Sequence, residues 1–374
     1  MTDDPHRSRP TPNLRVAASR PSVDTTGIWF EPARITRARV LAELDSAALA
    51  ERAGLSTIAV RGFESGAAQP DEAIAKLASI LQVPVNYFCN GRPLARIDKA
   101  DIHFSRLRTT SVTDRAKAAA HAEQLWELVY ELDRRIKLPA PDLPAVDTCA
   151  TPAEAARGLR EHWGLPRGPV AHLGATMESH GIVLCAVPAA DRTLRRVGTY
   201  STEGRGRPLV VVPPVETTSV YDFRLSCALE LAHLLLHPNP IPGDHGQVHE
   251  AHRFALEFLL PQAEIAPLLP ASIRQPALIR MVEQWGVPLS AVINRLDEAD
   301  PDGSARRHRI PTTGSQCEKL THYPGEAPAL LREAFTLLGV NGCSELAEKL
   351  HWAPDYLLRV LGEAEPKPQL TLVP

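Results

Sequence analysis

Between residues 29 and 92 the chain is cut into short helical pieces by glycines and capping residues, and this punctuation restricts what the stretch can become. Ile35, Ala38, Leu41 and Ala42 recur at helical spacing across residues 34–44. Asp45 or Ser46 offers the side-chain oxygen that caps a second helix holding Leu49 and Ala50. Gly54 stops that helix, Ser56 caps a third that runs through Phe63, and Gly66 stops the third, because glycine tolerates the left-handed backbone of a helix end. A fourth helix is predicted from about Pro70 to Leu81, with Ile74, Leu77, Ala78 and Leu81 on one face, and residues 83–88 close the unit. Helices this short are held by packing on one another rather than by propensity, so a compact five-helix unit is predicted.

The whole chain, at 374 residues, is too long for one ordinary core, so two or three domains are expected. Its formal net charge of −3 argues against non-specific coating of nucleic acid and leaves room for a small DNA-reading module. Cys89, Cys149, Cys185, Cys227, Cys317 and Cys343 include no C-x-x-C pair, which points to reduced, mostly buried thiols rather than disulfides or a cysteine zinc site. No early stretch has the apolar centre of a signal peptide and no run approaches a membrane span, so a cytoplasmic protein without membrane contact is expected.

Residues 1–28, rich in Pro, Arg, Ser and Thr, are expected to form a disordered arm. Residues 93–150 read as an irregular polar stretch, then a long helix over 113–137 with Leu125, Trp126, Val129 and Leu132 on its buried face, then a Pro-rich linker. Residues 151–297 read as α+β. Helices near 152–163 and 169–179 precede strand-like runs at 182–187, 197–201 and 209–212. Apolar helices over 220–237 and 248–260 follow, and then a helical extension with Met281, Val282, Trp285 and Val292 in its core stripe. Residues 298–324 read as a loop and 325–374 as a helical module and tail. The fold class expected is multidomain and mainly α, with a small central sheet.

The first unit resembles the Cro/lambda-repressor (XRE) helix-turn-helix family. The resemblance rests on Arg34-Ile35-x-x-Ala38-Arg39, on Leu49-Ala50-Glu51-Arg52-Ala53-Gly54-Leu55-Ser56, on Val60-x-x-Phe63-Glu64-x-Gly66, and on Leu77-Ala78-x-x-Leu81-x-Val83-Pro84. It implies that the third helix enters the DNA major groove, with Ser56, Thr57, Ile58, Arg61 and Gly62 on its reading face and Arg39 and Ser46 nearby. Arg61 can reach guanine or phosphate. Ser46 stands where the family often has glutamine, and Glu64 is expected to make a structural ion pair or cap. Operator DNA and a homodimer are the implied partners, because one such module contacts only a half-site.

Residues 229–237 read Leu-Glu-Leu-Ala-His-Leu-Leu-Leu-His, and Glu250-Ala251-His252-Arg253-Phe254-Ala255 follows. An H-E-x-x-H helix holds zinc because residues four apart share one face and the glutamate activates a bound water. This combination, behind an XRE-like unit, resembles the ImmA/IrrE family of zincin-like metallopeptidases. Glu230 then stands at the general base and His233 at the second histidine, while Leu229 replaces the first histidine and Val248 the third ligand, a glutamate. One ligand cannot hold a catalytic zinc, which takes three protein ligands plus water. No cofactor is therefore expected, with zinc bound only if another site forms, for which His233 and His237 are the weak candidates.

Glu230 and His233 are then expected as remnants, hydrogen-bonded to each other, in a pocket that holds a peptide, protein or small-molecule effector. The function expected is a DNA-binding regulator with a degenerate sensing domain. A metal-dependent endopeptidase cleaving a repressor-type partner and a non-enzymatic scaffold stay open as alternatives. At the C-terminal end, the run Tyr356 to Leu361 is too apolar for a groove-reading helix, so packing or dimerisation is expected there, with Trp352 in the core.

Overall fold

The computed structural model describes residues 15–16, 30–105, 110–147, 149–203, 206–268, 275–299, 319–322, 325–339 and 342–360. The arm expected over residues 1–28 lies outside them, except Arg15–Val16 (β1), and so do Cys317, most of the expected 298–324 loop and the tail beyond residue 360.

Four short helices open the described chain: α1 (Pro32–Leu41), α2 (Ser46–Ala53), α3 (Thr57–Ser65) and α4 (Ile74–Leu81). Their ends follow the sequence signals. Asp45 accepts from the Ala48 amide at 2.7 Å and Ser56 from the Ala59 amide at 3.1 Å, satisfying donors that a helix start leaves open. Gly54 and Gly66 take φ of 63° and 79°, the left-handed region that stops α2 and α3. The predicted fifth helix is a 3-10 turn, Val85–Phe88, and α4 begins at Ile74 rather than Pro70. Residues on both sides of the turn, Pro84 and Cys89, are extended, and Cys89 bridges to Phe30, so the chain has no room for a full helix there.

Next comes α5 (Val112–Asp133), started by a reciprocal capping box between Ser111 and Asp114. It ends short of residue 137 because Ile136–Lys137 (β3) pairs antiparallel with β1. A second, four-stranded sheet is mixed, with β2 (His103–Phe104), β5 (Tyr200–Thr202), β6 (Leu209–Val212) and β4 (Val183–Ala186) in the spatial order β2-β5-β6-β4. Only β4 and β6 run parallel. Two of these features were not predicted. The edge strand β2 comes from the stretch read as irregular. The strand expected over 197–201 starts at Tyr200, because Arg192–Val197 forms helix α8, capped by Asp191 and ended at Gly198.

Alternating strand residues feed two cores. Val183, Cys185, Leu209 and Val211 face one side, and Leu184, Val210 and Val212 face the other. The first side packs on α5, and the same continuous core takes in α1–α4 and the C-terminal helices α14 (Leu330–Leu337), α15 (Gly342–Leu350) and α16 (Pro354–Val360). Trp352 is buried in it, as expected, whereas Trp126 is half-buried and stacked on Tyr130. The second side packs on α6 (Pro152–His162), α7 (Leu173–Ser179), α9 (Val220–Leu236), α10 (His245–Leu259), α12 (Gln275–Trp285) and α13 (Leu289–Ala299), with the short α11 (Gln262–Ile265) between α10 and α12. No helix among the described residues is long and apolar enough to cross a membrane.

A buried ionic cluster fastens the N-terminal helices to α5. Arg34, at 0% exposure, donates to Glu127 at 2.9 Å and to the Pro93 carbonyl at 3.0 Å. Arg37 donates to the other Glu127 oxygen at 2.6 Å, to Glu123 at 2.7 Å and to the Ala95 carbonyl at 2.6 Å. A buried pair adds little net stability when intact, but losing one partner strands the other charge away from water. Glu127→Ala leaves two buried guanidiniums short of their carboxylate and is expected to cost about 3–5 kcal/mol. Urea unfolding of the full chain measures this, and a loss under about 1 kcal/mol would mean that solvent reaches the cluster.

Candidate functional site

Two surfaces carry the residues singled out by sequence. The first is α3. Val60 and Phe63 are buried under it, which turns the opposite face outward. Ile58 is 84% exposed, Arg61 is exposed, and Thr57 and Gly62 are half-buried. Ser56 is held by its capping bond to the Ala59 amide. Arg39 and Ser46 are placed differently. Both are drawn to Glu64, Arg39 at 2.5 Å and Ser46 at 3.0 Å, and Arg39 also donates to the Leu44 carbonyl. Glu64 thus forms the structural ion pair expected of it and ties α1, α2 and α3 together.

The second surface is the cavity over α9 and α10. Helix α9 starts at Ser219, whose hydroxyl caps it, and is fastened to its surroundings by Arg224, which donates to the carbonyls of Gly286 and Val170 and pairs with Glu326. That anchoring sets the rotation of α9 and turns Leu229, Glu230 and His233 toward a cavity of about 100 Å³. Val248 and His252 reach the same cavity from α10, and β2 forms its far wall. Leu229 and Val248 therefore stand at the cavity where the resemblance places metal ligands, as two aliphatic side chains.

Glu230 is 1% exposed and accepts from the Ser201 hydroxyl at 2.6 Å. Burial pushes its carboxyl up to about 8, against the smaller opposing effect of that hydrogen bond. At neutral pH the side chain is mostly protonated and so is not poised to take a proton from water. The expected pairing of Glu230 with His233 is not formed. Ser201, on the strand beside α9, reaches the carboxyl first.

His233 instead faces His237, one helical turn on, with Nδ1 to Nδ1 at 3.0 Å. His237 Nε2 lies 2.9 Å from Glu250, and a carboxylate only accepts, so the hydrogen-bond pattern assigns the Nε2 proton of His237 to Glu250. The His103 ring from β2 stacks on His233 at 4.5 Å, and its Nε2 donates to the His237 carbonyl at 2.9 Å. Burial lowers His233 to about 3 and His103 to about 4, so both rings are neutral at physiological pH.

These residues do not fit a catalytic zinc. The facing nitrogens of His233 and His237 are spent on each other. Among the described residues no group of three His, Cys, Asp or Glu side chains is placed to hold a metal ion. Of the other nearby histidines, His252 reaches the cavity rim, while His245 and His249 are exposed on α10.

Sequence reasoning missed His103, Ser201 and the Glu250 contact. His103 is 134 residues from His237, and Ser201 is 29 residues from Glu230. Neither belongs to a local motif, so only the pairing of β2 with β5 and the seating of α9 under the sheet bring them in.

Glu230 also makes stability depend on pH. Its folded value of about 8 lies above the ordinary carboxylate value, so between about pH 4.5 and 8 the folded chain holds a proton that the unfolded chain releases. Stability from this group is present at low pH and falls as pH rises through that window, by up to about 1.4 kcal/mol per unit. Glu230→Gln is expected to flatten this slope, so that the variant gains on the native chain as pH rises from 5 to 8 in denaturant unfolding. Parallel curves would show that Glu230 is ionised in the folded state. No curated protein matches the chain. Residues 177–297 match the family model of the IrrE N-terminal-like domain, so an IrrE-like peptidase-family domain is present from the end of α7 into α13.

Proposed function

We propose that this chain is a DNA-binding transcriptional regulator whose IrrE-like domain has given up hydrolysis and serves as a sensing module. The observation that carries the reading is the pairing of an outward α3 face with a cavity whose metal-ligand positions hold Leu229 and Val248. The α3 face offers the cation Arg61, the large apolar side chain Ile58 and the Thr57 hydroxyl to a partner. That set suits a helix-turn-helix reader, in which Arg61 reaches guanine or phosphate and Ile58 meets a thymine methyl group. The chain then acts in the cytoplasm as a homodimer on a two-fold operator, each copy reading one half-site.

Loss of hydrolysis follows from chemistry. A zinc peptidase needs three protein ligands and a base that takes a proton from the bound water. Here two ligand positions are aliphatic, and Glu230 is held as the acid by burial. The remaining pocket keeps the buried Glu230 carboxyl beside the aliphatic Leu229 and Val248, an arrangement suited to binding without cleaving.

The test is a gel-shift series with the chain's own upstream DNA at low salt. The native chain is expected to bind, and Arg61→Ala to weaken binding by about 1–3 kcal/mol, roughly tenfold or more. Absence of any DNA complex would favour the scaffold reading. Metal analysis of the purified protein addresses the peptidase. Well under one zinc per chain is expected, and stoichiometric zinc that is lost on His233→Ala would overturn the non-hydrolytic reading.

A further inference from the structure

A second and larger cavity, of about 260 Å³, adjoins the Glu230 pocket and shares His103 and Pro240 with it. Its remaining lining differs from that of the Glu230 pocket. Its walls come from the connecting segment (Ala95, Arg96, Ile97, Asp101), the end of β5 with the residue after it (Thr202, Glu203), and the end of α9. Its volume falls just below the roughly 300–1,000 Å³ of sites for drug-sized molecules, which restricts the occupant to something of amino-acid or dipeptide size. Ile97, Leu234 and Pro238 supply an apolar surface. Arg96 supplies a cation, and Asp101 and Glu203 supply two anions, all three exposed to solvent. The neutral His103 ring adds no charge to this set.

Building on the regulatory reading, we infer that this cavity binds a small zwitterion, an amino acid or dipeptide with an aliphatic side chain. Its carboxylate meets Arg96, its ammonium meets Asp101 and Glu203, and its side chain rests on Ile97 and Leu234. A guanidinium and two carboxylates around one apolar patch match such a ligand in both charges. An amine alone leaves Arg96 without a partner, and an acid alone sets its charge against two carboxylates.

The wall of this cavity is bonded to the ionic cluster under α1. The Ala95 carbonyl accepts from Arg37, and the Ile97 amide donates to Glu123 at 3.0 Å. The Asp101 carbonyl accepts from the Thr202 hydroxyl at 3.0 Å, tying the segment to the sheet. A ligand that draws Arg96, Ile97 and Asp101 together therefore acts on the residues that hold α1 to α5. The occupant biases the position of the N-terminal helices by its differential contact with that segment.

Calorimetric titration of the full chain tests this with four probes: leucine, leucyl-leucine, 3-methylbutylamine and 4-methylpentanoate. At least one of the first two is expected to bind, and which one does sets the size of the site. The singly charged probes are expected to bind about tenfold more weakly or worse. Arg96→Ala and Glu203→Gln, both at exposed positions, are each expected to weaken the zwitterion about tenfold with thermal unfolding unchanged. No heat from either zwitterion, equal binding of a singly charged probe, or unchanged binding by both variants overturns the proposal. Operator binding is measured apart from this. A chain that binds the zwitterion and no DNA loses the regulatory reading and keeps the site, and a chain that binds DNA and no zwitterion does the reverse. Where both bind, a saturating probe is expected to shift the operator midpoint, and an unmoved midpoint overturns the coupling.

Discussion

The buried contact of Arg34 and Arg37 with Glu127 and Glu123 is the interaction on which the arrangement of this molecule depends. Burying a guanidinium is costly unless acceptors come with it. Here the acceptors come from α5 and from the carbonyls of Pro93 and Ala95 in the connecting segment. The two residues on α1 therefore do more than hold a helix. They register the N-terminal unit against the long helix and set the course of the chain leading to β2. That segment leads into β2, which pairs with β5 and brings His103 to the end of α9.

The sheet then serves two purposes at once. One face completes the core shared by α1–α5 and the C-terminal helices, and the other completes the core of the IrrE-like domain. Because strand side chains alternate, the same few strands link both halves without an intervening linker. The C-terminal module is fastened in the same manner. Glu178 accepts from the amides of Ala329 and Leu330 at the start of α14, and Glu326 pairs with Arg224 of α9. Buried charges thus help pin the C-terminal module to α7 and α9.

Around α9 this packing decides chemistry. Glu230 could in principle be a base, and His233 a ligand. Burial under the sheet holds Glu230 as an acid, against the smaller opposing effect of the Ser201 hydroxyl, while His233 is committed to His237 and stacked on His103. What the region keeps is two adjoining cavities that share His103 and Pro240, one beside the Glu230 acid and one beside the segment bonded to α1.

The amino-acid order alone determined the local elements. Asp45, Gly54, Ser56 and Gly66 set the ends of α2 and α3 through capping and left-handed backbone, which need no distant partner. The Leu229 to His237 run likewise specified one helix, and the positions of Leu229 and Val248 argued against zinc from the letters alone. Tertiary structure decided the rest. Helix α8 fell in a stretch read as no element and ran into the start of the expected 197–201 strand, β2 was too short to show a period, and the residues after Pro84 turned as a 3-10 segment where a helix was expected. The partner of Glu230, the neutral state of His103 and the place of Arg39 beside Glu64 depend on which groups burial brings together and deprives of water. Those are properties of non-local packing, and no periodicity or spacing along the chain encodes them.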